Sequence, residues 1–193
     1  MIAFVRGSFI QKQPARVVVD VNGIGYDLQI SLNTYSYIAN KDQGQLFTYL
    51  HITENAQTLY GFADLEEKEL FLNLISVSGV GAATARMMLS GMKPEEIARA
   101  IVQGNTKQLE SIKGIGKKSA ERLIVELKDK LSKNASTALT TITNALPGYD
   151  AVNALVSLGI AKPMAEQAVK KVLSSTPEIN NIEELIKNAL KNL

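Results

Sequence analysis

The chain has 193 residues, 46% of them hydrophobic and 21% charged, with a net charge of +2. Such a length suits two or three small domains, and the composition is that of a globular protein rather than of a disordered one. With no cysteine and a single histidine, His51, one copy can build no disulfide framework, no thiolate nucleophile and no His/Cys metal site, and a reducing cytoplasm is the expected location. The charge at Arg6 interrupts any secretory signal, and no run approaches the roughly 20 apolar residues of a membrane-spanning helix.

Nine of the eleven aromatic residues fall in the first 62 positions. Short β-branched and aromatic runs in the same region, at Ile2–Ile10, Arg16–Val21, Ile24–Ile30, Gln45–Ile52 and Gln57–Phe62, predict five strands. Asn22-Gly23 is a hairpin turn, and the polar interval 31–44 has room for a short helix. Five strands in this space predict an OB-like barrel over 1–63, with an SH3-like barrel as the alternative. Phe47/Tyr49 and Tyr60/Phe62 have the spacing of residues that pack the barrel interior or a subunit interface, although stacking on unpaired bases is a second use for such side chains. His51, in the fourth strand, reads as a partly buried strand residue.

After Phe62 the hydrophobic period changes from two to about 3.6. Asp64-Leu-Glu-Glu67 has the form of a capping box, and Leu70, Phe71, Leu74 and Ile75 form one apolar stripe. Further helices are expected near 82–90, 95–103, 106–111 and 117–131, which makes 64–133 an all-helical domain. Residues 134–147, rich in Ser, Thr, Asn and Ala and free of charge, read as a flexible linker, with a further helix as the competing reading. Three short helices are expected over 148–193, where Gly159 ends the first, Pro163 begins the second and Asn181 caps the third, whose apolar face runs from Ile182 to Leu193. The charge is uneven, because residues 99–133 hold nine basic and four acidic side chains.

An internal repeat carries the functional argument. Val77-Ser-Gly79-Val-Gly81-Ala-Ala-Thr-Ala85 matches Ile112-Lys-Gly114-Ile-Gly116-Lys-Lys-Ser-Ala120 at a constant offset of 35 residues. The two glycines of each copy allow a sharp turn and a close backbone approach, and the hydrophobe between them anchors the turn. The helix that follows starts with unpaired N–H groups and the positive end of its dipole, which suit a phosphate oxygen. The residues expected to hold nucleic acid are therefore Gly79, Val80, Gly81 and Ala82 in the first copy and Gly114, Ile115, Gly116, Lys117, Lys118 and Arg122 in the second. Lys117, Lys118 and Arg122 would add mobile positive charge, whereas Ala82 and Ala83 stand where the first copy could have had cations. A tight turn used only for packing is the alternative. The string Gly114-Ile-Gly-Lys-Lys-Ser119 is no Walker A loop, since the spacing would need glycine at Ser111 and a hydroxyl at Lys118. Gly79-Val-Gly81 lacks the third glycine and the preceding strand of a dinucleotide fingerprint.

The repeat resembles a tandem helix-hairpin-helix motif, and with the domains on either side the whole chain resembles the RuvA family of Holliday-junction branch-migration proteins. The strings that carry the resemblance are Met1-Ile-Ala-Phe-Val-Arg-Gly7, Val21-Asn-Gly-Ile-Gly-Tyr26, Leu59-Tyr-Gly-Phe62 and Gly114-Ile-Gly-Lys-Lys-Ser-Ala-Glu-Arg-Leu-Ile-Val-Glu-Leu-Lys128. The resemblance implies a homotetramer, or an octamer on DNA, that holds four-way junctions open in recombination and repair. It implies a DNA-binding subunit with no catalytic, metal or cofactor site of its own. Its UBA-like C-terminal bundle would recruit the hexameric RuvB ATPase, with Leu155, Leu158, Leu185 and Leu190 divided between core and docking face, and the RuvC resolvase would join the complex. Family members usually place two adjacent acids, a pin, in the loop before the last barrel strand. Glu54 and Asn55 stand there in this chain, so a tetramer would carry four pin carboxylates in place of eight. Three competing readings are a duplex-binding accessory subunit without junction preference, a hairpin-containing base glycosylase and a pure protein-interaction scaffold. The glycosylase lacks an aspartate at the right spacing, because Asp129 comes too soon and residue 134 is Asn.

Overall fold

A computed structural model of the chain describes residues 1–140, 147–175, 179 and 181–192. They divide into two compact units, Met1–Asn134 and Ala135–Leu193. In the first unit, strands β1 (Phe4–Gln13), β2 (Arg16–Val21), β3 (Ile24–Ile30), β4 (Gln43–Ile52) and β5 (Gln57–Phe62) close into a barrel of order β1-β2-β3-β5-β4, with helix α1 (Leu32–Ile38) between β3 and β4. This is the expected OB-like arrangement. Only the β3–β5 pairing is parallel among the barrel's strand pairs. Alternating residues such as Val17, Val19, Leu28, Ile30 and Leu46 are fully buried and fill the interior. Asn22 and Gly23 both take positive φ, 52° and 88°, as a type I′ hairpin requires.

The helical part comprises α2 (Leu65–Ile75), α3 (Ala82–Gly91), α4 (Pro94–Gln103), α5 (Thr106–Glu110) and α6 (Lys117–Thr140). Its core is continuous with one face of the barrel. Phe71 of α2, fully buried, meets Tyr49, Tyr60 and Phe62 at ring-centroid separations of 5.8, 5.0 and 4.9 Å. The aromatics of β4 and β5 thus pack in the seam between barrel and helices rather than in the barrel interior, and Phe47 packs against the same cluster. His51 is half-buried beside Tyr49 and Tyr60.

Polar contacts cross the same seam. Asp64 caps α2, its carboxylate accepting from the Glu67 N–H at 2.8 Å. Glu67 does not complete the expected capping box, because its carboxylate turns toward α1. There it accepts from the hydroxyls of Ser31 and Thr34 and from the Ala63 N–H at 3.1 Å. Only 2% of its surface is exposed, a position a carboxylate holds when its lone pairs are matched by donors.

Helix α6 extends to Thr140, so the first seven positions of the expected 134–147 linker are helical. No Gly or Pro interrupts 117–140, and Ala135, Ala138 and Leu139 favour helix. Residues 141–146 of that linker lie outside the described ones. The second unit contains α7 (Pro147–Ser157), α8 (Lys162–Ser175) and α9 (Ile182–Leu190), as expected of a three-helix bundle. Gly159, at φ 92°, ends α7 with paired bonds from Gly159 N–H to Val156 O and from Ile160 N–H to Leu155 O, the Schellman arrangement. Asn181 caps α9 through the Glu183 N–H.

Burial raises the Glu67 carboxyl above its ordinary range, the Asp64 charge adds to this, and the three donors only partly offset it. A carboxyl raised on folding stabilises the folded chain below its unfolded pKa and loses that contribution as pH rises through its folded value. Urea unfolding of the wild type should therefore weaken with pH from the ordinary glutamate range upward, and Glu67→Gln should lack this component. Identical pH profiles for the two proteins would contradict it.

Candidate nucleic-acid interface

The two halves of the repeat fold into the same backbone. Gly79 and Gly114 take φ of 88° and 91°. In the first turn the Val77 N–H donates to Leu74 O at 3.2 Å and the Val80 N–H to Val77 O at 3.0 Å; in the second, Ile112 N–H to Leu109 O and Ile115 N–H to Ile112 O have the same lengths. The Ser76 hydroxyl donates to Asn73 O at 2.6 Å and the Ser111 hydroxyl to Gln108 O at 2.7 Å. Each bond recurs 35 residues on. Val80 and Ile115 are 4% and 5% exposed, so these two predicted residues anchor their turns in the core and offer a ligand only backbone.

The two glycines of each turn do different work. Gly79 and Gly114 are required by conformation, since a side chain at such φ costs about 1–2 kcal/mol. Gly81 sits at φ −80°, open to any residue, and a Cβ built on Gly81 or Gly116 meets nothing within 4 Å. Neither conformation nor packing inside the chain requires glycine there. Gly81 is also the N-cap of α3 and makes no side-chain capping bond, where Ser, Thr or Asp would have capped the helix. The first N–H groups of α3 are left facing outward past an exposed glycine, an arrangement suited to a closely approaching anion.

The two hairpins exchange side chains. Met87 of α3 and Arg122 of α6 are equivalent in the repeat, and each reaches the first glycine of the other copy. The Met87 sulfur lies 3.8 Å from a Cβ built on Gly114, and Arg122 Nη1 lies 3.8 Å from one built on Gly79. Arg122 Nη1 donates to Ser78 O at 2.9 Å, while its Nε stands 3.9 Å from Glu126. The expectation of a mobile charge is therefore corrected for Arg122, which is tied to the first turn. Half of its side chain stays exposed, so it lends positive charge to the hairpin that has Ala82 and Ala83. Lys117 and Lys118 are exposed and fit the mobile role. Ala82 is buried at 7% exposure and can contribute only through its backbone.

Glu54 and Asn55 form the exposed tip of the β4–β5 loop. The loop is closed at its base by the Thr53 N–H and hydroxyl, which donate to Ala56 O at 2.9 and 3.2 Å. In the second unit Leu155 and Leu185 are fully buried, whereas Leu158 and Leu190 are 65% and 43% exposed. The four leucines expected to divide between core and docking face are thus sorted by burial, Leu155 and Leu185 into the core and Leu158 and Leu190 onto the surface. Of the expected face of α9, Ala189 is also buried, Ile182 is exposed and Leu193 lies outside the described residues. Among the described residues no group of three or more His, Asp or Glu side chains could hold a metal, and no helix is long and apolar enough to cross a membrane. Met87, Ser78 and the seam residues Ser31, Thr34 and Glu67 were not among the sequence candidates. The offset of 35 could have singled out Met87 as the partner of Arg122.

Comparison with known proteins finds three family models in chain order. They are described as the RuvA N terminal domain at residues 1–61, a SAM-like helix-hairpin-helix tandem at 71–129 and the RuvA C-terminal domain at 147–193. A protein of Cytophaga hutchinsonii is 43% identical over 197 residues, covering 99% of both chains. Proteins of Flavobacterium psychrophilum and Bacteroides fragilis are each 44% identical, over 194 and 202 residues, covering all of both chains. All three relatives are named Holliday junction branch migration complex subunit RuvA.

The division of labour between the glycines can be tested by stability alone. Gly79→Ala and Gly114→Ala should each lower the unfolding free energy by about 1–2 kcal/mol, and Gly81→Ala and Gly116→Ala should change it by less than about 0.5 kcal/mol. Urea denaturation of the four variants would check this, and equal losses at all four positions would contradict it.

Proposed function

Because the chain belongs to the RuvA family, we propose that it is a non-catalytic subunit that binds four-way DNA junctions as a homotetramer and holds their arms open and planar. In this reading it serves recombination and repair in the cytoplasm, recruits the hexameric RuvB ATPase through its C-terminal bundle to drive branch migration, and admits the RuvC resolvase. The observation that carries the reading is the pair Gly81 and Gly116, glycines that nothing in the fold requires. Each stands before the exposed N-terminus of a helix, where a phosphodiester oxygen could approach the backbone without meeting a Cβ. Such contacts grip phosphate without reading bases, as suits a protein that must act at any sequence. Lys117, Lys118 and Arg122 add long-range attraction to the same strand.

Four-fold symmetry would bring four copies of the Glu54–Asn55 tip to the junction centre, one for each arm. Glu54 serves as the pin, repelling phosphate where the strands part, and Asn55 supplies a neutral group with hydrogen-bonding capacity. With one acid in each tip, repulsion at the crossover is weaker than with two. Leu158 and Leu190 belong to the surface offered to the motor.

Gel-shift titration with an immobile four-way junction and a duplex of equal arm length tests the proposal. Tighter binding of the junction is expected, and equal affinity would leave only a duplex-binding accessory protein. Gly81→Ala and Gly116→Ala should weaken binding to both DNAs, and Lys118→Ala should flatten the dependence of log K on log salt by about one unit. Asn55→Asp should lower junction affinity and change the rate of RuvB-driven migration; no change in either would remove the pin.

A further inference from the structure

The seam between barrel and hairpins is held by two kinds of contact. The aromatic cluster around Phe71 is apolar, non-directional and tolerant of sliding. The polar bonds are directional and fix an angle. From α1, the Asn33 Nδ2 donates to Leu89 O at 2.6 Å and to Met92 O at 3.0 Å, at the end of α3, where carbonyls have no intrahelical donor. The Leu32 N–H donates to the Ser90 hydroxyl at 3.1 Å. From α3, Arg86 Nη1 donates to Ala15 O at 2.9 Å and to Gln29 Oε1 at 3.0 Å. Ala15 itself takes φ 74°, a strained conformation for alanine. On the other side of α1, Ser31 and Thr34 hold the buried Glu67 of α2. The two helices that frame the first hairpin are thus both bonded to one short helix of the barrel, and Arg122 ties the second hairpin to the first.

Strand β5 completes the linkage. It begins directly after the loop that carries Glu54 and Asn55, and it ends at Phe62, next to Ala63, whose N–H donates to Glu67. Its six residues span about 20 Å, paired on both sides by β3 and β4. The loop tip and the α2 joint therefore lie at opposite ends of one braced strand.

We propose that Asn33 and Glu67, acting through α1, are positioning residues that fix the angle between the β4–β5 tip and the two hairpins, and that this angle gives the protein its preference for a junction over duplex. Duplex needs only the hairpins, whereas a junction must meet hairpins and tip at once, so any play in the joint weakens junction binding alone. The inference rests on the junction-binding reading above.

Fluorescence anisotropy titrations of the full chain with an immobile junction and with duplex of the same arm sequence test it, with urea unfolding of each variant alongside. Asn33→Ala should lower junction affinity about tenfold, the scale of the two hydrogen bonds it removes, and leave duplex affinity within about twofold. Asn33→Asp, which sets a carboxylate against the Leu89 and Met92 carbonyls, should lose more, and Glu67→Gln, which keeps the shape and part of the bonding, should lose less. Should Glu67→Gln fail to fold, the half-buried Asn33 carries the test. Proportional loss of both affinities in folded variants, or a junction preference that survives Asn33→Ala and Asn33→Asp, would overturn the joint. An unmodified chain without any junction preference would remove the functional reading, and this inference with it.

Discussion

Both hairpins depend on a backbone turn that only glycine takes easily. At Gly79 and Gly114 the chain enters the left-handed region, folds back on itself and starts a new helix three residues later. Val80 and Ile115 are drawn into the core by the same turn, so the hydrophobe between the two glycines leaves only its backbone at the surface of each hairpin. Gly81 and Gly116 keep that surface bare. A helix N-terminus behind such a turn presents dipoles and N–H groups, the chemistry that suits phosphate; the first hairpin adds only the alanines Ala82 and Ala83, and the second adds the exposed Lys117 and Lys118.

Two such turns act as one unit because they are cross-linked. The exchange of Met87 and Arg122 across the local two-fold relation of the repeat is asymmetric in chemistry, a thioether in one direction and a guanidinium in the other. One residue of the second copy consequently shares its charge with the first. The barrel enters through the polar bonds of α1 and the aromatic seam on Phe71. Barrel and hairpins thereby keep separate cores but share one packed and hydrogen-bonded seam, and the position of each limits that of the other.

Local features were legible in the sequence for a local reason. Alternation of period two, the Asn22-Gly23 turn, the Asp64 and Asn181 caps and the 35-residue repeat are set by neighbours a few residues apart. Five strands, the short helix between the third and the fourth and the hairpin turns could be read from those signals. What escaped was decided by contacts distant in sequence. Glu67 has the spacing of a capping box, yet its carboxylate finds better donors 33 and 36 residues away. The tyrosines of β4 and β5 alternate like barrel-interior residues and instead meet Phe71, because a closed barrel has two faces and the period cannot say which is covered. Leu155 and Leu158 are equally apolar, and only the packing of three helices sorts one into the core and the other onto the surface. The uncharged composition from 134 onward predicts a linker, yet no Gly or Pro stops the helix before Thr140.

The central claim, that DNA is held by the backbone N–H groups of both glycine turns together, is tested most directly by hydrogen–deuterium exchange of the full chain with and without an immobile four-way junction. The account predicts that segments 78–84 and 113–119 gain protection together, at the same DNA concentration, alongside the β4–β5 tip. Protection confined to the barrel, or to one hairpin while the other exchanges as in the free protein, would contradict it.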